Sequence, residues 1–310
     1  MTDGYVVVVG SASMDVKAHM STQPVWETSN LGVVRQGVGG VARNIAENLA
    51  RLEVRTVLLT AVGDDVNGRQ VLRKCRDNGI RIRHVRIVEG ARTGLYMALL
   101  KPDGEMLVAV ADFEIMRYVD RDYLLSHERL FADAAMIVID ATLTDEALAT
   151  VFELAARYNV RVAADPTTPT LATRLCPYLN RLYLTTPNAA ETTALCGLED
   201  PAHDRDTAID AARHLVSIGA TIAVVTLGEQ GIAYADGSGG GFIRAVRAQI
   251  VDSTGAGDAF TSATIFGLLN EVPVDEAMRL GMTAASLTLQ SRETVLPDLS
   301  QELLYDQLVV

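Results

Sequence analysis

Cysteine is scarce: Cys75, Cys176 and Cys196 are the only three in 310 residues. The count is odd and no pair has CxxC spacing, which argues against both a disulfide framework and a zinc site. Free thiols in a reducing cytoplasm are the expected state. Positive charge is also short: 27 Lys and Arg face 39 Asp and Glu, a net charge of −12 with a pI near 4.9. Such a chain lacks the electrostatic footprint of a nucleic-acid binder and is repelled by anionic membrane surfaces. Long apolar runs are missing as well. None approaches the roughly 20 residues of a membrane helix, and the apolar run Tyr5–Val9 follows an acidic start and is too short for a secretory signal. A cytoplasmic protein with neither a nucleic-acid nor a membrane partner is expected. Finally, no G-x-G-x-x-G follows that run. Gly10 leads instead into Ser11-Ala12-Ser13, which excludes a dinucleotide-binding dehydrogenase.

What is present is an ordinary globular composition, 49% apolar and 21% charged, enough for a large core and opposite to the signature of disorder. Tyr5–Gly10 is β-branched and continuous, as in a strand buried on both faces. Helical stretches over Val41–Leu52 and Gly68–Asn78 flank a strand at Val57–Ala61. Three short runs, Arg81–Val88, Gly94–Leu100 and Glu105–Val110, read as a small antiparallel piece with a hairpin turn at Pro102-Asp103-Gly104. After it, strands and helices alternate. Met136–Ile139 is followed by a helix over Thr144–Tyr158 with Thr144 as N-cap, then by strands at Arg161–Ala164, Leu182–Thr185 and Ile222–Thr226. A hairpin of Ile232–Ala235 and Phe242–Val246 turns at Asp236–Gly241, and the last third is helical. Alternation of this kind implies right-handed crossovers and a mainly parallel sheet in a three-layer α/β/α sandwich. Ligands then sit outside the carboxyl ends of the strands. The expectation is one domain over 1–310 with a small β-sheet lid from segments near 12–38 and 81–112.

The most informative stretch is Asp252-Ser253-Thr254-Gly255-Ala256-Gly257-Asp258-Ala259-Phe260. Small residues open a helix whose first amides lack intrahelical partners and whose dipole favours an anion. Gly255 and Gly257 let an oxyanion come close, so the segment reads as an anion cradle. A carboxylate at that place, Asp258, suits a base for a hydroxyl attacking phosphorus. At the ordinary pKa of about 3.9 it would be ionised at neutral pH. By itself a G-x-G-D is equally a tight turn with a dipole-complementing Asp.

This nine-residue string resembles the C-terminal signature of the ribokinase-like, PfkB-type carbohydrate kinases, and the resemblance extends over nearly the whole chain. Gly37-Val38-Gly39-Gly40-Val41-Ala42-Arg43-Asn44 resembles the family's glycine pair followed by a helical Asn. Gly10-Ser11-Ala12-Ser13-Met14-Asp15 resembles its first strand and substrate-binding Asp, and Gly63-Asp64-Asp65-Val66-Asn67-Gly68 its G-x-D-x-x-G turn. The resemblance implies a sandwich of nine or so strands with a β lid. It implies Asp258 as catalytic base and the amides of Gly255, Ala256 and Gly257 as the phosphoryl cradle. Asp15 would take two sugar hydroxyls, Gly39 and Gly40 would lie against the sugar, and Asn44 would bind a further hydroxyl. Without the family, Asp15 is equally a turn residue and Asn44 a surface amide.

On the nucleotide side, Asn188-Ala189-Ala190-Glu191 stands where the family has N-x-x-E. The resemblance implies ATP and Mg2+ as cofactors, with Glu191 organising Mg2+ through water and Asn188 near the phosphates; a capping pair is the simpler reading and compatible with it. Thr226-Leu227-Gly228-Glu229-Gln230-Gly231 resembles the loop under the nucleotide, with Thr226, Gly228 and Gly231 in contact. Asp165 ends a strand on the same side. A K+ site would involve Asp252, Thr254 and residues 291–294. For the acceptor, Gly104–Asp112 and the opening Val9–Asp15 resemble the subgroup that phosphorylates the 5′-hydroxyl of pseudouridine, with Ser11, Ser13 and Asp112 as polar contacts and Tyr96 or Met97 lining an apolar slot for the base. Tyr96 and Met97 are otherwise core residues. Another nucleoside, ribose or fructose fits the same catalytic residues, and a non-catalytic sensor is disfavoured because Asp258 and its glycines are intact. A homodimer paired through the lid is expected.

Overall fold

The run Tyr5–Val9 is buried on both sides because its side chains alternate between two cores. Val6 and Val8 pack with helices Val41–Arg51, Val66–Asp77, Ala256–Leu269 and Val274–Leu289. Val7 and Val9 pack with helices Arg121–Ser126, Glu128–Ala132 and Asp145–Tyr158. A period of two between apolar layers on both faces fixes a central strand of an α/β/α sandwich. The computed structural model describes residues 4–198, 202–246 and 249–308.

The central sheet has eight strands where the sequence suggested nine or so. From one edge they run Gly239–Arg244, Gly231–Asp236, Ile222–Thr226, Leu184–Thr185, Val162–Asp165, Ala134–Asp140, Tyr5–Val9 and Thr56–Leu59. The strands from Ile222–Thr226 to Thr56–Leu59 pair in parallel; Gly231–Asp236 runs antiparallel to both of its neighbours, Ile222–Thr226 and Gly239–Arg244. From Tyr5–Val9 the chain builds first outward to Thr56–Leu59 and later in the other direction from Ala134–Asp140. The order therefore reverses between these two strands, and ligand crevices form at such points.

A second sheet forms the lid, in the order Gly32–Gly39, Ser13–Met20, Gly94–Leu100, Met106–Asp112. The Pro102–Gly104 hairpin turn stands where expected, with the Gly104 amide donating to Lys101. Three expectations need correction. Arg81–Val88 is not part of the lid; only Arg86–Val88 is a strand, and it pairs in parallel with Ala61–Gly63. The lid is not wholly antiparallel, since Ser13–Met20 and Gly94–Leu100 run parallel. The last hairpin's turn is tighter than Asp236–Gly241: Gly237 and Ser238 make it, because Gly239–Gly241 are already paired in the strand; Asp236 closes the turn by accepting from the Ser238 and Gly239 amides. Among the described residues no helix is long and apolar enough to cross a membrane.

Candidate active site

A cleft of about 370 Å3 opens where the lid meets the carboxyl ends of the strands. Its floor is the start of the helix Ala256–Leu269. Gly255 precedes it with φ of 85°, and a Cβ there would collide with the Thr294 carbonyl oxygen. Only glycine fits that turn. Gly257 has open space on its Cβ side, facing the cleft. The Ala256 amide leans back to the Ser253 carbonyl at 3.4 Å, a weak contact at the start of the helix.

Asp258 lies on the first turn and is buried. Asn44 Nδ2 donates to its Oδ2 at 2.7 Å, which brings together two residues 214 positions apart. Burial pushes the Asp258 carboxyl up to about 7, against the Asn44 hydrogen bond and the Arg43 charge, with Asp15 and Asp140 adding to the rise. Burial thus works against the full ionisation expected from an ordinary aspartate. Across the cleft Asp15 is held by Ser13 Oγ at 3.2 Å and is also raised, by burial first, to about 6.

The glycine pair divides its work. Gly40 lines the cleft, whereas Gly39 makes room for the Asp15 carboxylate, which a Cβ would strike. Ser13, Tyr96 and Asn44 line the cleft as well. Two expected contacts are not brought in. The Ser11 hydroxyl is spent on Asp140, 2.7 Å away. Asp112 accepts from the Glu114 amide and faces a separate pocket with Arg92 and Arg117; strand alternation turns its neighbours Ala111 and Phe113 into the cleft instead. Met97 is not core but 41% exposed on the opposite face of the lid from Tyr96.

On the other side, Asn188 and Glu191 form the capping box, Asn188 Oδ1 accepting from the Glu191 amide and Glu191 Oε2 from the Asn188 amide, both at 2.9 Å. Both also line the cleft, so the capping role leaves them facing the same space as Asp258. Asp165 lies nearby, raised well above the ordinary range by burial and then by Glu191 and Asp258. Buried carboxylates with raised proton affinity facing one cleft are hard oxygen donors lacking a counter-charge, which fits Mg2+. Among the described residues no three acidic, His or Cys groups converge into a protein-only cage. Thr226 lines both the cleft and an adjoining, mostly apolar slot, where Gly228, Gly231, Ile232, Phe260 and Met282 take over.

Asp252 and Thr254 do not present a free cation site. Asp252 Oδ2 accepts from Lys17 Nζ at 2.6 Å and Oδ1 from the Thr254 amide at 2.9 Å. Burial would raise this carboxyl, but those donors hold it below the ordinary range. A K+ at the same oxygens would face the Lys17 ammonium, so the residues do not fit it.

Three organising residues escaped the sequence reading. Asp140, fully buried, accepts from the Ser11 amide and hydroxyl, the Ala42 amide, and the Thr142 amide and hydroxyl. It ties the end of the first strand to the start of the Asn44 helix. Its signal was available: an Asp ending a strand at the carboxyl edge, as Asp165 does. Arg43, also buried, pairs with Glu47 and donates to the Val38 and Gly39 carbonyls at the foot of the lid and to Thr294. Nothing in the sequence marks it as buried. Lys17 is the third.

Comparison with known proteins agrees with this geometry. The signature of the pfkB family carbohydrate kinases matches residues 3–301. The chain is 33% identical over 297 residues to the pseudouridine kinase of Escherichia coli strain K12, covering 96% of this chain and 94% of that one. In fold it is similar to a putative sugar kinase from Clostridium perfringens, with TM-score 0.82, 27% identity and coverage of 99% and 96%. It is also similar to Arabidopsis thaliana ribokinase solved with ribose and ATP, with TM-score 0.85, 23% identity and 98% of each chain. A family match over residues 3–301 and a relative at 33% identity across nearly the whole chain place it: the chain belongs to the PfkB carbohydrate kinases and is an ATP-dependent kinase.

Proposed function

We propose that the chain transfers the ATP γ-phosphoryl group to the 5′-hydroxyl of a nucleoside, pseudouridine first among them. The observation that carries the reaction is the Asn44–Asp258 pair standing over the helix start, with Asp15 on the acceptor side. Asp15 offers two carboxylate oxygens to a diol, which places the hydroxyl against Asp258. Asp258 takes the hydroxyl proton as the O–P bond forms. The amides at the start of Ala256–Leu269 receive the charge on the transferred group. The apolar slot beyond Thr226 and Gly228 takes the adenine, and Asn188 and Glu191 lie along the triphosphate. Glu191, with Asp165 nearby, would hold Mg2+, which when bound would neutralise phosphate charge.

A nucleoside is favoured over a bare pentose by space. A second pocket of about 580 Å3 shares Tyr96, Ser253 and Thr254 with the cleft, space that a free sugar would leave empty. The rings of Tyr96 and Phe113 offer the apolar faces a base requires. The curated relative at 33% identity points the same way. ADP release with Mg·ATP across pseudouridine, uridine, cytidine, adenosine, inosine, ribose and fructose tests the reading. Pseudouridine should lead in kcat/KM; a lead by ribose or fructose would refute the nucleoside assignment.

We also propose that two copies pair through the lid. Val34, Ala18, Leu99 and Val108 lie directly opposite one another across its four strands, as do Gln36, Val16, Met97 and Val110. These rows share the face away from Tyr96, and Val34, Val108 and Val110 are exposed there. Sedimentation should give a dimer that Val110→Lys converts to monomer; a monomeric wild type would sink the idea.

A further inference from the structure

The Lys17–Asp252 contact joins parts of the chain 235 residues apart. Lys17 lies on the lid strand two residues beyond Asp15 and so on the same face, turned inward. Asp252 opens the loop that leads through Thr254 and Gly255 into the cradle. The two side chains are only 16% and 24% exposed, so solvent screens the pair less than a surface bridge. Each Asp252 oxygen has its own partner: Oδ2 the lid ammonium, Oδ1 the amide of the loop itself.

We propose that Lys17 is a positioning residue whose ammonium serves as a fixed internal cation, fastening the lid strand that carries Asp15 to the loop that forms the anion cradle. The acceptor-binding carboxylate and the phosphoryl-binding amides are then held in one register by a single ion pair. A soluble monovalent cation at Asp252 becomes redundant, because its place is taken by a side chain. Asp15, Lys17 and Arg35 share the inner face, with Arg35 directly opposite Lys17 on the neighbouring strand. Losing Lys17 therefore removes the ammonium partner of Asp252 Oδ2, while Asp15 on the same face raises the cost of the unpaired carboxylate.

The inference rests on the cradle's role in phosphoryl transfer, and the two fail separately. A chain that phosphorylates no acceptor sinks that role; an active chain indifferent to Lys17 sinks this one. The test uses the full chain with Mg·ATP and its best acceptor. Lys17→Met keeps the aliphatic stem and should lower kcat/KM for the acceptor ~10- to 100-fold, with Lys17→Arg recovering most of the loss. Asp252→Asn should be impaired similarly, and the double variant should be no worse than the worse single one. Added K+ or ethylammonium, at constant ionic strength, should raise both the activity and the Tm of Lys17→Met and leave wild type unmoved. Wild-type kcat/KM in Lys17→Met, losses that multiply in the double variant, or equal K+ dependence of wild type and variant would overturn the proposal.

Discussion

Asp258→Asn should lower kcat by on the order of 10²- to 10⁴-fold, the range for losing a positioned base, while calorimetry finds ATP binding nearly unchanged. The amide preserves an oxygen for Asn44 Nδ2, so geometry survives and only proton acceptance is lost. Turnover near wild type would remove the base assignment. The same group sets the pH profile. Because the base works ionised and its carboxyl sits at about 7, wild-type kcat/KM should rise with pH through an acid limb near that value. Stability should move the opposite way. Folded Asp258 keeps its proton to about pH 7, an unfolded aspartate only to about 3.9. Between those values the native state binds the extra proton, so wild type loses stability as pH rises through the window. Asp258→Asn should therefore have the higher Tm at pH 8, with the gap closing as pH falls toward 4. A variant less stable than wild type at pH 8 would contradict the burial argument.

Asp140→Ala should be the most destabilising substitution near the cleft. It strands the buried amides of Ser11, Ala42 and Thr142 and two hydroxyls. Leaving such groups unpaired costs about 3–5 kcal/mol in total, readable as a lower urea midpoint. Activity should fall as well, because the strand leading to Asp15 and the helix bearing Asn44 lose their common anchor. Asp140→Asn keeps the volume but turns an NH2 toward donors, so it should fold and be intermediate. Unchanged midpoints in both variants would show that Asp140 is not the anchor.

The division of labour between sequence and tertiary structure follows from range. Tyr5–Val9, Thr144–Tyr158 with its Thr144 cap, and the hairpin at Pro102–Gly104 are local: apolar period, capping side chains and turn residues act over a few positions. The placement of Gly255–Asp258 at one helix start was legible for the same reason, since these residues are contiguous. Asp15, Asn44 and Glu191 were reached only through the family's motifs, because isolated polar residues carry no local mark of a site. Tertiary structure decided what depends on contacts across the chain. It raised Asp258 to about 7 by burial, turned Asp112 away from the cleft and Phe113 toward it, and spent Ser11 on Asp140. It also set Lys17 against Asp252. Solvent exclusion and long-range pairing create these features, and neither exists until the strands and helices have packed.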